Sequence, residues 1–206
     1  MRSGCRIPAR RRTPAVDFEP GHPRYSAQEQ NEGRLFEGCL DDVRAAPADD
    51  GPVELIVRRP ASGPREIPDE VRHDVDGRLT GDRWALRDVD RTPAWLAAQL
   101  AVMSTRVLAA IDADRSRWLL AGDQLYVGMD PSVEDLPAGT RLTVGSAILE
   151  VSETPYTGCT RVGARFRGDA LQWVNSPDGR AARLRGLNAR IVQSGTVRVG
   201  GTVARS

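Results

Sequence analysis

Lysine is missing from this 206-residue chain, and all 29 of its basic side chains are arginine. The absence excludes the internal aldimine of a pyridoxal phosphate enzyme, which needs a lysine amine. It also excludes a Walker-type nucleotide site, whose phosphate loop carries a lysine. Any positive site must then be a fixed charge with planar, bidentate donors, suited to phosphate or carboxylate. Net charge is also lacking, at a formal +1, so no bulk attraction to nucleic acid or to a membrane surface is indicated. Aromatic residues are only 5% of the chain, too few for a basic stripe with interleaved rings of the kind that stacks single-stranded nucleic acid. The apolar runs fall far short of the roughly 20 residues that a membrane helix needs. The basic N-terminus (Arg2, Arg6, Arg10, Arg11 and Arg12) is followed by no apolar stretch of a secretory signal, so a reducing cytoplasm is expected.

Cysteine and histidine are scarce as well. Cys5, Cys39 and Cys159 are odd in number and widely spaced, so neither a disulfide framework nor a CxxC zinc pair is expected. His22 and His73 lie far from Cys159 with no acid or cysteine at ligand spacing, which argues against a Cys–His dyad or a zinc site. No glycine-rich dinucleotide fingerprint follows a strand and opens a helix.

What is present reads as a Pro- and Arg-rich arm at 1–33 and one domain at 34–206. Val53 to Arg59 is a β-rich run closed by Pro60, and Ile67 to Val75 a second extended segment. Thr92-Pro93 is an N-cap with proline at the first helical position. Leu96, Leu100, Met103, Val107 and Ile111 then recur at spacings of four and three, predicting one long amphipathic helix with Gln99 and Arg106 on its other side. From Leu125 onward short strands alternate with tight turns: Arg141–Val144, a Gly145-Ser146 hairpin loop, Ala147–Val151, Asn188–Gln193, Thr196–Val199 and Thr202–Arg205. A short helix is predicted over Phe166–Val174 and a turn over Asn175–Gly179. The fold class is mainly β, a barrel of short strands with the one long helix and a few short ones.

Several of these segments, in order, resemble the MOSC domain, named for the C-terminal domain of molybdenum cofactor sulfurases. Gly122-Asp123-Gln124-Leu125 is similar to that family's GDNL element, and Leu136 to Gly145 resembles its hairpin. Leu149-Glu150-Val151-Ser152 followed by Gly158-Cys159 resembles the strand leading to its signature cysteine. Arg185 to Val192 and Gly195 to Gly200 resemble its closing strands, and Gly81-Asp82-Arg83-Trp84 its GDR element. The resemblance covers about residues 50–206 and is strongest over 121–206. Two positions depart from it: Gly158 stands where the family commonly has proline, and Gly200-Gly201 where it commonly ends in Gly-Asp. The resemblance implies a barrel of the pyruvate-kinase-barrel type with the cysteine at the mouth of a pocket. There the thiol carries a persulfide for delivery to molybdenum cofactor, or ligates molybdenum directly; a sulfur donor or a molybdoenzyme is the implied partner.

On its own terms Cys159 needs a nearby cation, because only the thiolate attacks or binds metal. If the strand continued past it, Cys159 and Arg161 would share a face. Arg165, Arg167, Arg180, Arg183, Arg185 and Arg190 follow. Arg161, Arg165, Arg183, Arg185, Asp82 and Arg83 are the candidate ligands of an anionic molybdopterin or related metabolite, and Cys159 the candidate for both catalysis and metal ligation. Other readings stay open. Free cysteine is commonly a small buried hydrophobe, alternating arginines protect strand edges, and Asp82 with Arg83 would serve equally as a structural ion pair. The chain would then be a non-catalytic barrel holding an anion through arginines, or an accessory protein whose arm engages a partner.

Overall fold

The computed structural model describes residues 36, 38–76, 78–83 and 92–206. The arm at 1–33, with Cys5 and His22, lies outside them, as does Trp84. Ten strands are described: β1 (Asp50–Ile56), β2 (Glu70–Asp74), β3 (Arg78–Leu79), β4 (Leu100–Ser104), β5 (Leu125–Val127), β6 (Arg141–Val144), β7 (Ala147–Val151), β8 (Leu187–Gln193), β9 (Gly195–Arg198) and β10 (Thr202–Arg205). Seven close into a barrel in the order β1-β10-β6-β7-β8-β4-β5, and β3-β2-β9 form a small sheet. β5 returns to β1 and completes the closure. β4 and β5 run parallel, while the other described pairs are antiparallel.

The barrel fills itself by the two-residue period of a strand. Ala147, Leu149 and Val151 of β7 are buried while Ile148 and Glu150 are half-exposed. Leu125, Leu142, Leu149, Ile191 and Val203 meet in one core, and each such side chain stabilises the fold by about 2 kcal/mol of apolar burial. The predicted hairpin at Gly145-Ser146 is present. Gly145 has φ +59°, and a Cβ there would sit 2.3 Å from the Thr196 carbonyl oxygen, so only glycine lets β9 approach.

The described helices are α1 (Cys39–Arg44), α2 (Pro93–Ala97), α3 (Thr105–Ile111), a 3₁₀ helix (Arg115–Ala121), α4 (Thr160–Arg165), α5 (Gly168–Asn175) and α6 (Pro177–Ala181). The predicted long helix over Leu96–Ile111 does not form. Thr92 caps α2 as expected, its hydroxyl accepting from Trp95 N, but the chain then becomes barrel strand β4 before α3 begins. All five residues of β4 are buried, so it shows no alternation, and its apolar spacing coincides with a helical stripe. Gln99 is not on a solvated side either. It is buried, donates to Val75 O and accepts from Ile191 N, both at 2.8 Å.

The predicted turn at Asn175–Gly179 is instead the start of α6. Ser176 Oγ accepts from Gly179 N at 3.0 Å and Pro177 takes the first turn. Cys39, fully buried at the start of α1, is disulfide-bonded, where no disulfide was expected. The helices pack over one side of the barrel through Val107, Leu108, Phe166, Ala170 and Val174, with Tyr126 of β5 beneath them. Among the described residues no helix is long and apolar enough to cross a membrane.

Candidate functional site

β7 ends at Val151, and the chain runs irregularly to Cys159, the N-cap of α4. The strand therefore does not continue past the cysteine, and Arg161 is the second residue of a helix rather than Cys159's neighbour on a sheet face. Cys159 is exposed. Its position is set by the residue before it. Gly158 N–H donates to Asn175 Oδ1 at 2.9 Å, and Asn175 Nδ2 donates to Gly158 O at 3.0 Å. A Cβ on residue 158 would lie 2.9 Å from Leu171 Cδ1 and 3.0 Å from Val174 Cγ2. Proline here would have no N–H for Asn175 and would crowd α5. The departure from the MOSC pattern thus has a local cause.

Arg161 and Arg165 of α4 face a cleft of about 290 Å³ whose other walls carry Arg59, Arg65, Arg83 and Gly122. The loop between Arg59 and Arg65 is closed by the Arg58–Glu66 backbone pair at 3.0 and 2.9 Å and by their side-chain ion pair at 2.5 Å. That closure turns Arg59 and Arg65 toward α4. Asp82 is buried, and its Oδ2 accepts from Arg59 N at 3.0 Å and from Arg59 Nε at 3.4 Å. Arg59 Nη1 reaches Gly122 O at 3.2 Å. The Asp82–Arg83 ion pair left open by the sequence is replaced by Asp82–Arg59, while Arg83 stands exposed at the rim. Arg165 Nη1 is steered by Leu120 O at 2.9 Å. Gly122, at φ +93°, keeps Arg165 Nη1 only 3.7 Å from where a Cβ would be.

The electrostatics follow from this assembly. Five guanidiniums line one small cleft, and one of them, Arg59, is paired with the Asp82 carboxylate. Arg65, Arg83, Arg161 and Arg165 form no ion pair with any described residue. Arg65 Nε is buried without an acceptor. Burial first, and then the charges of Arg165, Arg59 and Arg83, lower the Arg65 pKa. A cluster held together against its own repulsion in this way is relieved by an anion. Cys159 lies two residues before Arg161, a span of at most about 7 Å between Cα atoms.

Arg183 and Arg185 are not part of this cleft. Arg185 is buried, and its Nη1 donates to both oxygens of Asp123 at 2.8 Å. Its Nη2 reaches Ala121 O at 3.0 Å and Tyr156 Oη at 2.8 Å, and its guanidinium stacks over the Tyr156 ring. Burial alone would lower its pKa, but the adjacent Asp123 carboxylate reverses this and holds it charged. Arg183 donates to Leu136 O at 2.5 Å. Both line a different cavity, described below.

Sequence reasoning missed Arg59, Arg65 and Asn175. The two arginines flank a strand end and its turn, and a hairpin closed at Arg58 and Glu66 was the signal that would have paired them. Asn175 had no signal, because its partner Gly158 is remote in sequence.

Among the described residues no three His, Cys, Asp or Glu side chains are gathered to hold a metal ion. A metal would then have Cys159 as its protein ligand and the rest of its shell from elsewhere. The donors fit a phosphate-bearing anion: four guanidiniums without an ion pair among the described residues and a buried Nε of Arg65 with no acceptor among them.

No family model matches the sequence, and no curated protein matches it. Solved structures do. YiiM from Escherichia coli is similar with TM-score 0.50 and 18% identity, covering 76% of this chain and 69% of that one. A hypothetical protein is similar with TM-score 0.53 and 17% identity, covering 80% and 70%. The YuaD protein from Bacillus subtilis reaches TM-score 0.48 at 16% identity, covering 75% and 94%. The likeness is one of fold, and it agrees with the closed seven-strand barrel and the ordered motifs. This chain shares its closed β-barrel fold with YiiM from Escherichia coli.

Proposed function

We propose that the arginine cleft binds the phosphate-bearing end of an anionic ligand of the molybdopterin class, and that Cys159, two residues before the cleft's Arg161, handles sulfur or molybdenum. The observation that carries this reading is the excess of guanidinium charge in one cleft: five arginines against the single carboxylate of Asp82. Arg65, Arg161 and Arg165 would hold phosphate oxygens, Arg83 would close the rim, and Asp82 would keep Arg59 aimed. The bound group would supply a metal centre open to a thiolate ligand. As a sulfur carrier, the Cys159 thiolate would attack the outer sulfur of a donor persulfide. The S–S bond of the donor breaks, its thiolate leaves, and Cys159 holds the sulfane sulfur.

Metal analysis and intact mass of freshly purified, non-reduced protein test the thiol. Molybdenum, or a mass gain of about one sulfur atom, is expected in the wild type and lost in Cys159→Ser. Neither signal in the wild type, or equal signals in both proteins, would overturn it. Calorimetric titration with pyrophosphate tests the cleft. Arg65→Ala and Arg161→Ala should each weaken binding about tenfold, and added salt should weaken it further. A second reading has its own support, because Cys159 is not among the cleft-lining residues. Under it the barrel binds an anion without thiol chemistry, and pyrophosphate binding would persist in Cys159→Ser while the wild type shows no sulfur or molybdenum.

A further inference from the structure

The segment leading to Cys159 lines a second cavity of about 530 Å³. Thr157 lines this cavity and Arg161 lines the cleft, with Cys159 between them in the chain. The two spaces differ in chemistry. The second has apolar walls, among them Val133, Pro137, Val174 and Leu187, and its lining carries Arg180, Arg183 and Arg185, the last bonded to Tyr156.

The charge count there is small. Asp123 neutralises Arg185, and Glu153, which also lines the cavity, offsets one more. About one positive charge is left over, against a surplus of several in the cleft. Arg185 Nε is buried, belongs to a residue only 5% exposed, and has no acceptor among the described residues. Arg183 forms no ion pair with a described residue. Its Nη1 is taken by Pro131 O and Leu136 O at 3.4 and 2.5 Å, which fixes the guanidinium and leaves its other nitrogens free to donate. Its backbone sits at φ +46°, a left-handed conformation that an arginine holds only at a cost.

We propose that this cavity is a binding site for a small monocarboxylate with an apolar body, the carboxylate taken by Arg183 and Arg185 and the body by the Val133–Val174–Leu187 walls. The size is within the range of pockets that enclose small molecules. A singly charged head matches the small surplus of charge, and a fixed guanidinium presents carboxylates with planar paired donors. Desolvation, which lowers the Arg183 pKa, makes a charged partner there more favourable. The site is independent of the reading of the arginine cleft.

The test is calorimetric titration of the full chain with benzoate, 3-phenylpropionate and octanoate, and with 3-phenylpropanol as the uncharged counterpart. Saturable binding of at least one acid is expected, about tenfold weaker in Arg183→Met and about tenfold weaker for the alcohol. Ala138→Trp, which places bulk at an exposed lining position, should abolish it, and Arg161→Ala should leave it unchanged while weakening pyrophosphate about tenfold. The proposal fails if none of the three acids saturates a wild-type protein with an intact melting transition. It also fails if binding is as strong in Arg183→Met or Ala138→Trp as in the wild type, or if Arg161→Ala removes it.

Discussion

Asp123 and Arg185 form a buried ion pair whose members also fix Tyr156 and the Ala121 carbonyl. Asp123→Ala leaves an uncompensated buried guanidinium and should cost about 3–5 kcal/mol, read as a shift in the urea midpoint. The double variant Asp123→Leu with Arg185→Met should recover most of that loss, because an apolar pair needs no desolvation of charge. Asn175 holds the residue before the thiol. Asn175→Ala removes both hydrogen bonds to Gly158 and should cost about 1–2 kcal/mol in the same assay. A variant as stable as the wild type would show that the Gly158–Asn175 pair does not hold this segment.

At the scale of elements, what was legible depended on how each strand is buried. The hairpin of β6 and β7 and the closing strands β8 to β10 were readable, because glycines mark their turns and their apolar residues alternate or come in short runs. The segment α2–β4–α3 was not. A strand buried on both faces has no period of two, and its neighbours happened to complete a helical spacing. Gln99 stands at the corner where α2 gives way to β4, and its amide ties β8 to the Val75 loop. Gln99→Leu would preserve the apolar stripe of the imagined helix, yet it strands a buried N–H and a carbonyl. It should cost about 2–4 kcal/mol by urea denaturation. A neutral result would mean that the corner is held by packing alone.

Over the whole molecule, acid stability carries the signature of one residue. His73 is fully buried in β2, neither ring nitrogen has a partner among the described residues, and burial pushes its pKa down to about 4 from 6.5. The unfolded chain therefore binds a proton that the folded one refuses. Stability from the neutral ring is complete above about pH 6.5 and is lost as pH falls toward 4, by about 3 kcal/mol in all. His73→Leu should remove that part of the acid loss, so that the wild type and the variant diverge between pH 7.5 and pH 5 in urea titrations. Parallel pH profiles would locate the acid sensitivity elsewhere, in the carboxylates of the surface pairs.

The sequence alone determined the chemistry available: arginine as the main cation, a candidate thiol at Cys159, short strands punctuated by glycines, and motifs ordered like those of a MOSC barrel. Asp82, Arg83, Arg161 and Arg165 were legible as candidates because they sit in or beside those motifs. Which arginines converge was decided only by the tertiary structure. Barrel closure brings Arg59 and Arg65 from one end of the chain to α4 near the other, and a buried carboxylate withdraws Arg185 into an internal pair. The reason is physical. Residue type and local spacing set what a side chain is able to do, whereas contacts between remote segments set which charges remain unpaired, and it is the unpaired charges that select a ligand.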